Sequence, residues 1–393
     1  MTKENENSVL LVGATGYLGS LVAAGLLCEG YRIVAPLRQS HTRQSFINKL
    51  KSDLAAEEVN AEIDFDRLTT ISLPPVQEIP DLTAELHALG VNEIIHCAGS
   101  VDYFDTEKLK AVNIDLTNSL LTLGKQLQIK RFAYLSTAFS SGFIDGLVRE
   151  ILHQQQPKAD PTEYTKSKRE AEALVSNSGL PFLIIRPSIV IGDSRKGHYN
   201  GKPYGLYQLW AAFVKFLCGH SRNVFHFIAP SEKLHLIHQD AFKAGFIAAC
   251  KQLPDNSIVH LTSRHETLPT FVELVQQWSA IWDVKEVHCY KDASEIPATG
   301  IDRRTKMWLD FTAVNTDIAA HPWQFQTAGL DQLRLAGLKF RDVTLDTVRV
   351  CQDHFIAHSQ RAQALLKKDK DGLSAAAKSA NSNIPKKIAS GVS

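Results

Sequence analysis

Short apolar runs alternate with longer segments of helical periodicity through the first half of the chain. The runs predict six strands, at residues 9–12, 32–37, 68–73, 93–97, 130–135 and 182–185. Helical patterns separate them, most clearly at Thr106–Gln128 and Thr162–Asn177. Because strands that alternate with helices pair in parallel and carry helices on both faces, we expect an α/β fold built on a doubly wound parallel sheet.

The pattern changes after residue 192. Residues 197–205 are rich in glycine and tyrosine, and Leu206–Leu217 repeats apolar and aromatic side chains at helical spacing. That helix is either part of a buried core or an apolar wall over a lipophilic substrate, and the pattern leaves both interpretations open. A smaller, discontinuous region is completed by one strand and two helices, predicted at Ile258–Thr262, Leu268–Trp278 and Thr344–His358.

Three glycines, Gly13, Gly16 and Gly19, follow the first predicted strand, and a helical pattern comes directly after them. In a strand–turn–helix of this kind, backbone N–H groups and the positive end of a helix dipole face a pyrophosphate. The sheet is therefore predicted to be Rossmann-like, with a dinucleotide at its carboxyl edge. The residues that we expect to hold it here are Gly13, Thr15, Gly16, Tyr17, Leu18 and Gly19.

Four boundaries follow from these patterns. Residues 1–195 are predicted to form the dinucleotide-binding domain, with a return segment near residues 225–262. Residues 196–224 and 263–360 are predicted to form a substrate-binding region. Residues 361–393 are rich in Ala, Ser and Lys and have no aromatic side chain. Because they cannot bury enough apolar area to offset the entropy of ordering, we expect a disordered basic tail.

The second predicted strand ends at Arg38, and Arg43 follows. An acidic residue at this point would accept hydrogen bonds from the ribose 2′-hydroxyl and favour NAD, whereas a guanidinium pairs with a 2′-phosphate. The sequence therefore favours NADPH over NADH. A surface arginine beside an NAD site is the alternative interpretation.

Tyr164 and Lys168 lie four residues apart, on one face of a predicted helix. Lowering a phenol pKa of about 10 by about three units takes roughly 4 kcal/mol. A lysine charge about 4 Å away supplies that much at an effective dielectric near 20. Ser136 and Thr137 end the fifth strand and bring hydroxyls to the same crevice. We expect Tyr164 and one of these hydroxyls to hold a carbonyl oxygen that receives hydride, while Lys168 also binds the nicotinamide ribose.

Taken together, the motifs resemble those of the extended short-chain dehydrogenases/reductases, over roughly residues 8–358. They are Gly13-x-x-Gly16-x-x-Gly19, His96-Cys97-Ala98-Gly99, Ala111-Val112-Asn113, Leu135-Ser136-Thr137-Ala138, Tyr164-x-x-x-Lys168 and Arg186-Pro187-Ser188-Ile189-Val190-Ile191-Gly192. The resemblance implies that Thr137 carries the catalytic hydroxyl and that Asn113 steadies the active-site helix and lysine. It also implies that the cofactor is lined by Cys97, Ala98, Gly99, Pro187, Ser188 and Ile189.

Within that superfamily the chain is most similar to the thioester reductase and fatty acyl-CoA reductase branch, of the male-sterility type. The resemblance implies NADPH-dependent reduction of a lipophilic acyl thioester to an aldehyde, with further reduction to an alcohol left open. The acyl group would arrive on coenzyme A or on a separate acyl carrier protein. The substrate residues expected on this basis are Phe139, Gly142, Tyr199, Tyr204, Tyr207 and Trp210.

Other functions stay open at this point. The same residues would serve a ketone or alcohol dehydrogenase acting on a sterol-like or other lipid. A sugar-nucleotide epimerase or dehydratase is less favoured, because residues 197–217 have no obvious diphosphate-binding cluster. By analogy with the superfamily, the helices carrying Asn113 and Tyr164 are expected to pair two subunits in a homodimer.

Composition and charge exclude several classes of protein. A net charge of +1 gives no general attraction for nucleic acid, and no apolar run reaches the length of a membrane span. Residues 1–8 are polar rather than signal-like, and the six cysteines are scattered, so we expect a reduced, cytoplasmic protein. His235 and His238 have metal-like spacing, but this segment is predicted to be a strand entering a helix capped by Asp240. No metal is predicted.

Overall fold

The computed structural model describes residues 7–58, 63–103, 105–155, 160–217, 224–297, 299 and 301–367. Their thirteen strands are β1 Ser8–Val12, β2 Arg32–Leu37, β3 Leu68–Ser72, β4 Glu93–His96, β5 Arg131–Leu135, β6 Leu147–Val148, β7 Phe182–Pro187, β8 Ile189–Ile191, β9 Val224–Ile228, β10 Leu236–His238, β11 Ser257–Leu261, β12 Glu286–Tyr290 and β13 Gln324–Phe325. Seven of them form the main sheet.

Twelve α-helices are described: α1 Tyr17–Cys28, α2 Arg43–Ala56, α3 Thr83–Ala88, α4 Thr106–Leu109, α5 Leu116–Leu127, α6 Glu163–Ser176, α7 Leu206–Leu217, α8 Gln239–Gln252, α9 Phe271–Ile281, α10 Arg303–Ala320, α11 Ala328–Leu335 and α12 Leu345–His358. A π turn, Lys110–Asp115, joins α4 to α5. Short 3₁₀ segments lie at Phe65–Arg67, Val76–Leu82, Ala138–Ser141, His265–Thr267 and Ala293–Glu295.

The main sheet has the strand order β11-β7-β5-β4-β1-β2-β3, and every neighbouring pair is parallel. The chain order reverses between β1 and β4, so the carboxyl ends of these two strands border a crevice. The predicted doubly wound α/β fold is confirmed. Most of its strands are rich in apolar residues because helices cover both faces of the sheet.

Alternate residues of each strand enter two different cores. Leu11 packs with Leu26 of α1 and Phe242 of α8 on one face of the sheet. Leu10 packs with Leu120 of α5 and Phe132 of β5 on the other. This division follows from the two-residue period of a strand, and it places α5 and α6 on the second face, below the crevice.

The smaller region has its own core of aromatic side chains. Helix α7 has the predicted bounds and buries Trp210 and Phe213 against Trp278 and Trp308. Of the two interpretations of this helix, the structure therefore shows the first, a helix that belongs to a buried core. Outside the main sheet, β9 pairs with β12, β10 with β8 and β13 with β6.

The structure differs from the sequence-based expectation at three points. Of the predicted return segment, β11 joins the main sheet, whereas β9 pairs with β12 in the smaller region. The predicted cap at Asp240 is wrong, because His238 holds the N-cap position of α8 and the Asp240 carboxylate accepts from Ser194 N and Oγ. The third difference concerns the start of the predicted disordered tail, at residue 361.

Most of the predicted tail, residues 368–393, lies outside the described residues. Residues 361–367 belong to a helical segment that begins at residue 360. Ala362 and Leu365 from this segment are buried in the aromatic core. Order therefore continues past the predicted boundary because two apolar side chains find a place in that core. Within the described ranges, no helix combines the length and apolar character needed to cross a membrane.

Candidate active site

The turn after β1 and the start of α1 leave no room for a side chain at Gly13 or Gly19. Gly13 has φ +87°, and a Cβ at this position would lie 2.4 Å from Ala98 N, on the loop after β4. A Cβ at Gly19 would lie 2.1 Å from Gly13 O. Gly16 is the N-cap of α1 and has no side chain to accept a hydrogen bond. The first backbone N–H groups of the helix are therefore left without a side-chain cap. The turn therefore fits a pyrophosphate.

Three tyrosine rings run from this turn into the smaller region. Tyr17 lies 4.8 Å from Tyr199, centre to centre, and Tyr199 stacks on Tyr207 at 3.8 Å. Tyr17 Oη donates to Gln239 Oε1, and Tyr207 Oη accepts from Gly192 N. Tyr199 and Tyr207, both expected to bind substrate, thus lie beside the glycine turn and in the aromatic core.

The two arginines after β2 have different environments. Arg43 donates from Nε to Leu68 O at 3.0 Å and from Nη2 to Phe65 O at 2.7 Å. Its guanidinium is therefore occupied by backbone carbonyls. Arg38 is exposed, and its side chain has no hydrogen bond or ion pair within the described residues. Of the two, Arg38 is the residue that can pair with an added phosphate.

Asn113 joins the loop after β4 to helix α6. It is fully buried in the π turn, a feature that is frequent at functional sites. Its Oδ1 accepts from Ser100 N at 2.8 Å, and its Nδ2 donates to Ser100 O and to Ser167 Oγ. Since Ser167 precedes Lys168, this amide ties the loop after β4 to the helix that carries the lysine.

Lys168 lies at the floor of the crevice and is 4% exposed. Its Nζ donates to Leu135 O at 2.8 Å and to Tyr134 Oη at 3.1 Å. A Cβ at Gly99 would be 3.2 Å from Nζ, so the ammonium borders the crevice there. Burial lowers the pKa of Lys168 to about 8.

Tyr164 is half-buried and lies on the same face of α6. Burial raises the pKa of its phenol, and the neighbouring Tyr103 raises it further. In this structure Lys168 Nζ donates to Tyr134 and Leu135 rather than to Tyr164, and the expected lowering of the Tyr164 pKa is not seen. The Tyr164 phenol therefore keeps its proton at physiological pH.

The hydroxyls of Ser136 and Thr137 follow β5 at the same edge. Thr137 Oγ1 accepts from Phe139 N at 3.4 Å, which leaves its hydrogen available to a ligand. Ser136 Oγ is buried and has no hydrogen-bond partner in the described part of the chain. The next turn places Phe139 edge-on against Trp323 and Phe325, and it ends at the buried Gly142.

A buried ion pair supports this turn. Glu172, one helical turn after Lys168, accepts from Arg186 Nε at 2.9 Å and from Nη2 at 2.6 Å. Its Oε1 also accepts from Ser140 Oγ at 2.8 Å. The two charged side chains are 1% and 0% exposed. The pair therefore ties β7 and α6 to the turn after Thr137.

The remaining predicted residues lie after β4 and around the end of β7. Cys97 and Ala98 are half-buried, and burial raises the pKa of the Cys97 thiol, which stays neutral. Pro187 and Ser188 are buried where β7 ends, and Ser188 Oγ has no partner in the described residues. The half-buried Ile189 lies next to them.

Tyr103 is a residue that the sequence analysis missed. Its ring lies 6.2 Å from that of Tyr164. Burial raises the pKa of the Tyr103 phenol, and the half-exposed Tyr204 raises it further. Of the predicted substrate residues, Tyr204 therefore lies on the side of Tyr103 and Tyr164, whereas Trp210 is 4% exposed in the aromatic core. The position of Tyr103 depends on a loop path that carries no local sequence signal.

His235 and His238 have separate structural partners. His235 Nε2 donates to Trp323 O, and His238 Nδ1 donates to Gly192 O, while His238 Nε2 contacts Thr347 Oγ1. In the residues that the structure describes, no group of three or more His, Cys, Asp or Glu side chains could hold a metal ion.

Comparison with known proteins identifies similar chains. The family model described as "Male sterility protein" matches residues 11–226, more than half of the chain. Fatty acyl-CoA reductase 1 of Gallus gallus is 28% identical over 236 residues, which are 49% of this chain and 45% of that protein. The chain spans between 8% and 55% of the length of the first curated relatives that it matches.

Two solved structures show the same fold. The terminal R domain from the myxalamid PKS-NRPS biosynthetic pathway has a TM-score of 0.68 at 20% identity, covering 91% of this chain and 92% of its own. UDP-glucuronic acid 4-epimerase from Bacillus cereus, in complex with NAD, has a TM-score of 0.58 at 16% identity, covering 88% and 96%.

Proposed function

Because this chain belongs to the male sterility protein family, within the extended short-chain dehydrogenases/reductases, we propose that it is an NADPH-dependent reductase of a lipophilic acyl thioester. The proposal is supported by Lys168, which lies beside Gly99 and Leu135, by Tyr164 on the same helix, and by Thr137 just after β5. The family resemblance expected from the sequence is confirmed by the matching family model and the fatty acyl-CoA reductase relative. The substrate class is supported by that relative's name.

The glycine turn and the loop after β4 would hold the cofactor. The uncapped N–H groups of α1 suit a pyrophosphate, and Gly13 allows the close approach of the two loops. The unpaired guanidinium of Arg38 suits a 2′-phosphate, which is the reason to propose NADPH. When bound, NADPH supplies the hydride. Lys168 would bind the ribose and thereby orient the nicotinamide over Tyr164.

The side chains at the crevice would hold and protonate the substrate oxygen. Tyr164 Oη and Thr137 Oγ1 donate to the carbonyl oxygen of the thioester, and such donors stabilise a developing oxyanion by about 3 kcal/mol each. The thioester carbon gains hydride and its oxygen gains the phenolic proton of Tyr164. The hemithioacetal then loses a thiol and leaves an aldehyde, with reduction to an alcohol as a further step.

A screen of NADPH oxidation tests this proposal. The purified chain is assayed with acyl-CoAs of graded length, with the same acyl groups on a carrier protein, and with sterol and aliphatic ketones. We expect thiol release and aldehyde with long acyl thioesters, and faster turnover with NADPH than with NADH. Turnover of the ketones alone, without thiol release, would instead identify a lipid ketone or alcohol dehydrogenase.

A further inference from the structure

The ammonium group of Lys168 rests on the side chain of Tyr134, from strand β5. Nζ donates to Tyr134 Oη at 3.1 Å and to Leu135 O at 2.8 Å, and it lies 4.6 Å from the centre of the Tyr134 ring. An ammonium group has three N–H donors, so these two acceptors occupy two of them. One N–H of Lys168 therefore remains for a ligand.

The remaining donor borders the crevice. Nζ lies so close to Gly99 that a Cβ there would be 3.2 Å away, and that Cβ would be 3.4 Å from Asn113 Oδ1. Gly99 is exposed and follows β4 at the carboxyl edge of the sheet. Tyr134 thus holds Nζ between the sheet interior and the surface that a cofactor would cover.

Tyr134 is itself held in one orientation. It is fully buried, and the Thr117 hydroxyl interacts with its phenol. Thr117 Oγ1 donates to Asn113 O at 2.7 Å and lies 3.1 Å from His96 Nε2. Burial lowers the pKa of His96 to about 3, so its imidazole is neutral and shares a hydrogen bond with Thr117 Oγ1. Polar contacts therefore run from Lys168 through Tyr134 and Thr117 to Asn113.

We propose that Tyr134 is a positioning residue, whose hydroxyl fixes the Lys168 ammonium at the crevice and stabilises its charged form. The catalytic meaning of this inference rests on the proposed function. The position and proton affinity of the lysine are properties of the chain without any ligand. A phenylalanine would keep the packing of the Tyr134 ring and remove the hydroxyl alone, so the two roles can be separated.

The direct test is the Lys168 pKa in Tyr134→Phe, measured by NMR titration of the ¹³Cε-labelled lysine in the free protein, with Lys168→Arg to assign the signal. A hydrogen bond to a charged group corresponds to about one pKa unit, so we expect the pKa to fall from about 8 by about one unit. Tyr164→Phe is the matched control, because Tyr164 does not hydrogen-bond to Nζ, and it should leave the value unchanged. An unchanged Lys168 pKa in Tyr134→Phe would overturn the proposal.

Two further measurements keep the test decisive. If Tyr134→Phe does not fold, Thr117→Val removes the hydroxyl next to the phenol and should lower the Lys168 pKa by a smaller amount, whereas no change would reject the inference. In the active enzyme, Tyr134→Phe should move the alkaline limb of the kcat–pH profile down by the same unit. Absence of activity in the wild type with every thioester and ketone would reject the proposed function and leave the NMR result standing.

Discussion

Replacing Arg186 by methionine would leave the Glu172 carboxylate buried without its counter-charge. The carboxylate accepts three hydrogen bonds from side chains in the structure, two from Arg186 and one from Ser140. Arg186→Met removes two of them and keeps most of the apolar volume. Breaking a buried pair in this way costs about 3–5 kcal/mol. We therefore expect the free energy of unfolding to fall by that amount.

The assay is equilibrium denaturation by urea, followed by circular dichroism. The matched control is Lys251→Met, which breaks the exposed pair between Lys251 and Glu29, where the side chains are 44% and 42% exposed. An exposed pair contributes about 0–1 kcal/mol, so this variant should unfold almost like the wild type. The double variant Glu172→Leu/Arg186→Met should recover part of the loss. Equal effects of Arg186→Met and Lys251→Met would refute the reasoning.

Four more outcomes are expected. Tyr164→Phe should abolish NADPH oxidation and leave NADPH binding, measured by fluorescence titration, nearly unchanged; retained turnover would contradict the proposed proton donor. Arg38→Ala should raise the Kd for NADPH by about tenfold and leave the Kd for NADH unchanged, because a lost charge-assisted contact is worth about 1.4 kcal/mol or more. The control Arg43→Ala should lower the thermal stability without changing the cofactor preference. Gly13→Ala should abolish cofactor binding and lower the Tm, because its Cβ would overlap Ala98 N; a normal Tm would show that the loop moves freely. The kcat for reduction should fall as the pH rises through about 8, because the ammonium of Lys168 loses its proton there, and a flat profile to pH 10 would exclude this role.

The main sheet could be predicted from the sequence to within about two residues at each strand end. Most of its strands are short, apolar-rich runs between glycine or polar turns, and that signal is local. The helix predicted over Thr106–Gln128 is interrupted by the π turn Lys110–Asp115, which apolar spacing does not reveal. The same turn places the Asn113 side chain on Ser100 and Ser167.

The sequence motifs supplied the candidate residues of the site, whereas their hydrogen-bond partners and pKa shifts came only from the structure. The motifs identified Tyr164, Lys168 and Thr137, since each lies at a fixed offset from a strand or within a helix. The partner of Lys168 was not predictable, because Tyr134 meets it across two elements 34 residues apart in sequence. For the same reason, sequence alone did not distinguish Arg38 from Arg43, which is tethered to carbonyls near β3.

The row of rings formed by Tyr17, Tyr199 and Tyr207 has a mechanical consequence. Tyr17 is the residue next to Gly16, and Tyr207 is anchored through its hydroxyl to Gly192. A shift of the first helical turn when a dinucleotide arrives would press on the aromatic core, because closely packed rings have low compressibility. Cofactor binding at the glycine turn would thus displace side chains in the region that is expected to receive the acyl chain, through direct contacts between rings.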